Sequence, residues 1–454
     1  MIPRRVALCV AVLALVAAAV APVALAVDVT FGRPTATAKW GDEVAFTQPA
    51  TLGGGPSRVE LLLEFPGGLG PQVVEVEGPT GGGATTLRYA LLLSEGHLLP
   101  NTTITGRWRV YGQDGSVAVG PPATVVYEDT RFDWRTREGD TVRVHWYEGS
   151  NAFGERALRI GETAIREASE LLGVREEEPI DFFIYANQDE FYDALGPGTR
   201  ENVGGQANAE LRTLFALITP GEIDDAWVEI VIPHELTHLV FNTAVDNPYH
   251  FPPRWLNEGL AVYLSEGYPV ADRLAVESAA RDGTLIPLNG LAGQFPTTRD
   301  RFFLAYAESV SAVDYLIRTH GQDTLVSLIR SYSEGRTDDQ AFEDAIRVDV
   351  DGFDAAWRDE LNAEDPVVHG PQPAPAGPVP PGWTDAEGST APSASAGAPS
   401  VGPGSSPEPS PPGSSRSDLP VAALLAGMAA VAVAAIALVV VSGRRRRNPA
   451  PPSG

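Results

Sequence analysis

The sequence contains few of the side chains that bind metals or form disulfides. Cysteine occurs once, as Cys9, and histidine occurs seven times in 454 residues. Because Cys9 lies in a segment that we expect to be removed, the mature protein would have neither a disulfide nor a thiolate ligand. Any metal must then be bound by histidine, aspartate or glutamate.

Basic residues are also scarce. The chain has 33 lysines and arginines against 59 aspartates and glutamates, which gives a formal net charge of −26. Lys39 is the only lysine. Because a nucleic-acid-binding protein needs a basic surface, this composition argues against nucleic acid as a partner.

The first long apolar run lies at the start of the chain. Residues 1–26 have a basic beginning, an apolar centre and the ending Ala24-Leu25-Ala26. This order predicts a secretory signal peptide that is cleaved before Val27. An uncleaved membrane span is the alternative for this segment.

A second apolar run lies near the other end. Residues 421–441 contain no charge and are long enough to cross a bilayer as a helix. Arg444 to Arg447 follow, and such a cluster stays on the cytoplasmic side. We therefore predict a transmembrane helix at 419–442 and a basic cytoplasmic tail at 443–454. The protein would be a single-pass protein of the cell membrane, with the lipid bilayer as a partner and its N-terminal domains extracellular.

The segment before this run is rich in Pro, Gly, Ser and Ala. Residues 366–418 cannot bury a core with that composition, which predicts a disordered stalk. At its end, LPVAA at 419–423 resembles the LPxTG site of a cell-wall sorting signal but lacks its Thr and Gly. A sorting signal is therefore the alternative to the membrane anchor.

Between the two ends, composition and periodicity indicate two folded domains. Residues 27–128 contain alternating runs such as RVELLLEF at 58–65 and RWRVY at 107–111, separated by turns rich in Gly and Pro. This many short strands predicts an all-β, immunoglobulin-like sandwich. Residues 129–365 mix strands with apolar residues at helical spacing, so we predict an α+β domain there.

The segment VIPHELTHLVF places His234 and His238 four residues apart around Glu235. On a helix capped by Asp224 or Asp225, the two histidines lie one turn apart on one face, beside the glutamate. They could bind one zinc ion, with the glutamate next to the water that the metal activates. The alternative for the motif alone is a buried helix with two hydrogen-bonded histidines.

The residues after this motif favour the metal site. NPYHFPPRWLNEGLAVYLSE begins at Asn247 and places a Pro-rich turn before a second apolar helix. Glu258 follows His238 by 20 positions. A second helix that returns to the first could supply this carboxylate as a third ligand and leave the fourth position open for water.

HELTH with WLNEGLAVY downstream resembles the gluzincin metallopeptidases, in particular the bacterial peptidase-MA-like domains. The resemblance covers roughly residues 130–365, and the 19 residues between the second histidine and the glutamate match the thermolysin-type spacing. It implies a zincin-type fold in which His234, His238 and Glu258 are the zinc ligands and Glu235 is the catalytic base.

The resemblance also implies two assignments outside the motif. The segment that begins at Gly204 and Gly205 and the strand at 211–218 resemble the family's edge strand, which pairs with the substrate backbone. Tyr306 resembles a downstream tyrosine of the family and is the candidate donor to the oxyanion. The alternative for Tyr306 is a tyrosine packed within a helix.

The favoured interpretation is a membrane-anchored extracellular zinc metallopeptidase that cleaves peptides or proteins with a zinc-activated water and a glutamate base. The alternative is a non-catalytic, zinc-binding surface protein for adhesion or sensing on the same scaffold. Glu235 distinguishes the two, because a binding protein has no need of a general base.

Overall fold

The structure is a computed structural model that describes residues 28–94, 96–196 and 204–364. The predicted signal peptide, stalk, membrane span and cytoplasmic tail lie outside these residues. Within the described ranges, no helix is both long enough and apolar enough to cross a membrane. The predicted boundary between residues 128 and 129 stays a prediction, because the described residues on both sides belong to one compact unit.

The N-terminal part of the described chain consists of strands. They are β1 (Val29–Phe31), β2 (Thr35–Lys39), β3 (Glu43–Leu52), β4 (Arg58–Glu64), β5 (Gln72–Val76), β6 (Gly83–Leu92), β7 (Thr102–Tyr111), β8 (Val117–Val119) and β9 (Ala123–Tyr127). In one sheet, β6 pairs along all of β3, while β1 and β2 pair with the two ends of β3. In the other, β4 lies between β5 and β7, while β8 and β9 pair with the two ends of β7. All of these pairings are antiparallel.

A hydrophobic core lies between these two sheets. Val44 and Phe46 of β3, Leu61 and Leu63 of β4, and Trp108 of β7 are all buried in it. Successive side chains of a strand point to opposite faces, so the alternating residues of β4 place their apolar members inward. The predicted all-β character of this part is confirmed.

The C-terminal part begins with a mixed sheet of five described strands. They are β10 (Arg135–Glu138), β11 (Val142–Trp146), β12 (Ile180–Tyr185), β13 (Gly205–Asn208) and β14 (Thr213–Leu217). Their order is β10-β11-β12-β14-β13, with parallel pairing of β11, β12 and β14. The edge strand β13 is antiparallel to β14, its one partner among the described strands.

Helices make up most of the remaining described chain. They are α1 (Asn151–Leu172), α2 (Gln188–Leu195), α3 (Val228–Val245), α4 (Arg254–Glu266), α5 (Val270–Arg281), α6 (Arg299–His320), α7 (Gln322–Ser331), α8 (Asp338–Ile346) and α9 (Val350–Glu360). Strands at the N-terminus followed by this helical part confirm the predicted α+β fold class.

The two faces of the mixed sheet contact different parts of the protein. Phe182 and Ile184 of β12 belong to the large core that includes α1 and α3. Tyr185 points to the other face, into a smaller cluster to which Trp40 and Leu99 of the sandwich also belong. The sheet therefore lies between the helical layer and the N-terminal sandwich.

Helix α3 carries the HELTH motif and begins later than expected. Its N-terminal cap residue is Trp227, which forms no side-chain cap, so the prediction that Asp224 or Asp225 caps the helix is wrong. Arg156 instead approaches the Asp224 carboxylate to 3.3 Å. The carbonyl of Asp225 closes a turn that precedes the helix.

Candidate metal centre

Three predicted ligands meet between α3 and α4. His234 and His238 lie on α3 and Glu258 lies on α4, and one ligand atom of each lies within 4.8 Å of the other two. The Nε2 atoms of both histidines are 3.6 Å from Oε2 of Glu258. These separations are too long for hydrogen bonds, so the three atoms surround a gap.

The chemistry of this gap fits zinc. His234 Nε2 and Glu258 Oε2 are buried and have no hydrogen-bond partner. A buried polar group without a partner costs about 1–3 kcal/mol, and a bound cation would satisfy both atoms at once. Two imidazole nitrogens and one carboxylate oxygen are a donor set of catalytic zinc sites, which keep a fourth position open.

Two neighbouring side chains orient these ligands. His238 Nδ1–H donates to Asn257 Oδ1 at 2.9 Å, which leaves Nε2 available for the metal. Arg254 donates from Nε and Nη2 to Glu258 Oε1, both at 3.2 Å. Because Oε1 is held by the guanidinium, Oε2 is the oxygen that faces the gap. Sequence reasoning missed Arg254, although its spacing of four residues before Glu258 was a usable signal.

Glu235 lies beside the gap and is not one of the three clustered ligands. Its Oε2 accepts the N–H of Ala207 on the edge strand β13 at 3.0 Å, whereas its buried Oε1 has no partner. Burial, with help from the charge of Glu258, raises the pKa of Glu235 to about 7. A zinc ion bound by the neighbouring ligands would act in the opposite direction, because a nearby cation favours the ionised carboxylate.

The approach of β13 to Glu235 depends on a glycine. A Cβ atom at Gly205 would lie 2.9 Å from Cγ of Glu235 and 3.3 Å from Cγ1 of Val231. Any larger residue would displace either the strand or the Glu235 side chain. The predicted edge strand is therefore confirmed only for its first part, β13, which also contacts the predicted base. The strand predicted at 211–218 is β14, which lies between β12 and β13 and is not an edge.

Tyr306 on α6 also lies next to the centre. Its ring centroid is 6.5 Å from that of His234, and it packs against Phe295 at 5.3 Å and Phe302 at 5.2 Å. Burial, followed by the charge of Glu258, raises the pKa of the Tyr306 hydroxyl well above its usual value. The hydroxyl therefore keeps its proton at neutral pH and can act as a donor.

Two other histidines of the described chain each lie beside an aspartate carboxylate. His145 is a residue of β11, and its Nε2 lies 2.9 Å from Asp181. His250 lies 2.9 Å from the carboxylate of Asp338, away from the cluster of three ligands. Neither belongs to the metal centre.

Another buried carboxyl lies on the same helix as Tyr306. Both oxygens of Glu308 accept the N–H of Ile286, at 3.0 and 3.1 Å. Burial raises the pKa of Glu308 to about 8, although the charges of Arg358 and Arg301 act in the opposite direction. Glu308 is therefore mostly protonated at neutral pH.

Comparison with known families identifies the C-terminal part. Residues 161–363 match the family model described as the Peptidase MA superfamily. The chain carries a Peptidase MA superfamily domain. The matched range contains His234, Glu235, His238 and Glu258, and the domain is a zinc metallopeptidase.

Solved structures show only a distant overall likeness. An M1 zinc metallopeptidase from Deinococcus radiodurans is 12% identical, with 75% of this chain and 96% of that chain covered and a TM-score of 0.36. An aminopeptidase N family protein from Idiomarina loihiensis is 10% identical, with 74% of each chain covered and a TM-score of 0.38. A comparison with curated protein sequences gave no match.

Proposed function

We propose that this protein hydrolyses peptide bonds with Glu235 as the general base. The observation that carries the proposal is the free Oε1 of Glu235, which is buried beside the gap between His234, His238 and Glu258. A protein that only bound zinc would have no need of this carboxyl group at the edge of the metal site.

Each group of the site has a distinct task. His234, His238 and Glu258 would hold a zinc ion, which would supply Lewis-acid chemistry for the peptide carbonyl and the attacking water. Glu235 takes the proton from the attacking water and delivers it to the leaving amine. Ala207 holds the carboxylate through its N–H, so that one oxygen remains free for this transfer.

Tyr306 is our candidate for stabilising the tetrahedral oxyanion. Its hydroxyl lies beside the zinc ligands, and the raised pKa keeps it protonated. A hydrogen-bond donor aimed at developing negative charge lowers the barrier of acyl transfer. The edge strand β13 would bind the substrate as an added strand, because only one of its two edges is paired within the described chain.

Two substitutions separate zinc binding from catalysis. Glu258→Ala removes one of three protein ligands, so zinc content and peptidase activity should fall together. Glu235→Gln keeps nearly the same shape and should retain zinc, yet activity should fall by about 10²–10⁴-fold because an amide cannot act as the base. Zinc analysis and cleavage of a peptide library by both variants provide the test. A Glu235→Gln protein that cleaves as fast as the parent contradicts the mechanism.

We also propose that the protein is anchored in the cell membrane with both folded parts outside. The support comes from the sequence: the signal-like residues 1–26, the Pro-rich residues 366–418, the apolar residues 421–441 and the arginines that follow. Protease added to intact cells should release a soluble fragment cut within the Pro-rich segment. Recovery of the protein covalently bound to cell wall, without its arginine tail, would establish the sorting signal instead.

A further inference from the structure

We propose that the N-terminal sandwich is part of the catalytic unit, because it fixes the hairpin of β13 and β14 that positions Glu235. The inference rests on the proposed function, in which Glu235 is the base. The sandwich lies outside the matched residues 161–363. A series of contacts from the sandwich to the Glu235 side chain supports this role in fixing the hairpin.

The first contact is made by Asn101 of the sandwich. Its Nδ2 donates to Oδ2 of Asp181 on β12 at 3.0 Å and to Oγ1 of Thr213 on β14 at 2.9 Å. The Asp181 carboxylate is mostly buried and also accepts two bonds from Arg143, each at 2.8 Å. One sandwich side chain therefore joins two neighbouring strands of the mixed sheet through a charged network.

The backbone of Asn101 is shaped for this contact. Its φ is +68°, in the left-handed region that asparagine tolerates better than most residues. Its N–H donates to the carbonyl of Tyr127, which fixes the loop on the sandwich. The side chain thus projects from a backbone that is hydrogen-bonded to the sandwich.

The second step runs within the hairpin. Thr213 is paired with Asn208, the last residue of β13. The preceding residue, Ala207, donates its N–H to Glu235. A shift of β14 at Thr213 therefore moves the backbone group that holds the base.

A second sandwich contact reaches the turn of the same hairpin. A Cβ atom at Gly67 would lie 2.3 Å from Cδ of Glu210, so the loop between β4 and β5 packs directly against the turn between β13 and β14. Gly67 has a φ of +69°, which also favours glycine. The hairpin is thus supported at both Thr213 and Glu210.

The hairpin needs such support more than the metal ligands do. β13 is four residues long and pairs with one of the described strands, and short edge elements are among the first parts of a protein to open locally. The three zinc ligands lie instead on α3 and α4, within the large core of the C-terminal part. Loosening the sandwich contact should therefore release the base and the edge strand while zinc stays bound.

The main test replaces Asn101 by glycine in the zinc-loaded, full-length protein. Glycine keeps the left-handed backbone and removes both bonds to the sheet. We expect hydrogen exchange of the amides in 204–217 to become about tenfold faster and kcat/KM to fall about tenfold, the order expected for loss of a hydrogen bond to a charged group. Zinc content should not change. Unaltered exchange and unaltered kcat/KM would overturn the inference.

Asn362→Gly is the matched control. Asn362 also has a positive φ, +53°, and follows α9. The same substitution there changes the same kind of backbone position without touching the sandwich contact. It should leave exchange in 204–217 and kcat/KM as in the parent. If it changes both as much as Asn101→Gly does, the effect is general softening of the fold and the inference fails.

A second pair of variants tests the contact from the other side. Thr213→Val has nearly the same shape but cannot accept the bond from Asn101, whereas Thr213→Ser keeps the hydroxyl. We expect faster exchange in 204–217 for the valine variant and exchange close to the parent for the serine variant. Equal exchange in both would contradict the proposal, even if Asn101→Gly fails to fold. If the parent itself cleaves no peptide, the proposed function fails, whereas exchange still decides whether the sandwich fixes the hairpin.

Discussion

Replacing Gly259 by alanine tests how closely α4 and α6 must approach for zinc to bind. Gly259 directly follows the ligand Glu258 on α4. A Cβ atom there would lie 2.3 Å from the carbonyl oxygen of Ser309 on α6, whereas ordinary contact begins at 3.4 Å. The two helices must therefore separate by about 1 Å, since backbone atoms cannot rotate away as a side chain can.

The separation displaces one of two functional groups. If α4 moves, Glu258 leaves the metal, because zinc–ligand distances hold to within about 0.2 Å. If α6 moves, Tyr306 shifts, since it precedes Ser309 by three residues. Overpacking should lower the free energy of unfolding by about 1–3 kcal/mol. The helical preference for alanine over glycine offsets about 1 kcal/mol of that loss.

Gly161 provides the matched control within a buried helix. A Cβ atom there would lie 3.4 Å from Val142 and 3.6 Å from Leu236, which are ordinary contacts. Gly161→Ala should therefore keep zinc and gain up to about 1 kcal/mol of stability.

The assay combines zinc affinity, measured by competition with a chromophoric chelator, with thermal unfolding and peptide cleavage. For Gly259→Ala we expect a lower melting temperature and a loss of about tenfold or more in zinc affinity or in kcat. A Gly259→Ala protein that matches the parent in all three measurements would refute the reasoning, because the close approach of the two helices would then have no consequence.

Four further predictions concern two neighbours of the ligands, the metal and Glu308. Asn257→Ala removes the hydrogen-bond acceptor of His238 Nδ1–H, and Arg254→Met removes the hydrogen-bond donor to Glu258 Oε1. Each substitution should lower zinc affinity by about 10–100-fold, measured by the same chelator competition. Removal of zinc by a chelator should lower the melting temperature, since a ligand that binds only the folded state stabilises it, and an unchanged value would count against a bound metal. Glu308 has a folded pKa of about 8, above its ordinary value of 4.5, so its stabilising contribution is complete below pH 4.5 and is lost as the pH rises towards 8. Glu308→Gln should therefore reduce the fall in unfolding free energy over this range, by up to about 1.4 kcal/mol per pH unit, as chemical denaturation at several pH values would show.

The sequence alone determined the local geometry of the metal site. His234, Glu235 and His238 lie within five consecutive residues, so helical periodicity sets their relative directions once a helix forms. The strand alternation at 58–65 likewise identified core residues of the sandwich, because a period of two assigns each side chain to a face. Glu258 needed more than periodicity, because its return to α3 was suggested by spacing and by resemblance to a family.

The residue types that commonly cap helices predicted the start of α3 less well than periodicity predicted which residues face the core. Asp224 and Asp225 are good helix caps by residue type, yet α3 begins after Trp227 without a side-chain cap. The carboxylate of Asp224 is close to Arg156 of α1, a residue 68 positions away. Residue type alone does not decide where a helix begins, because the energy differences among helix caps are only about 1 kcal/mol.

Only the tertiary structure decided what surrounds and supports the site. Ala207 donates a backbone N–H to Glu235, and every non-proline residue carries such a group, so no sequence pattern distinguishes this one. Asn101 lies 80 positions from Asp181 and 112 positions from Thr213, and its side chain alone does not reveal its partners. The packing of sandwich on sheet brings these groups together, and burial of apolar surface, which drives that packing, is non-directional. The sequence therefore determined which residues can bind zinc, whereas the packed fold determined which residues hold them in place.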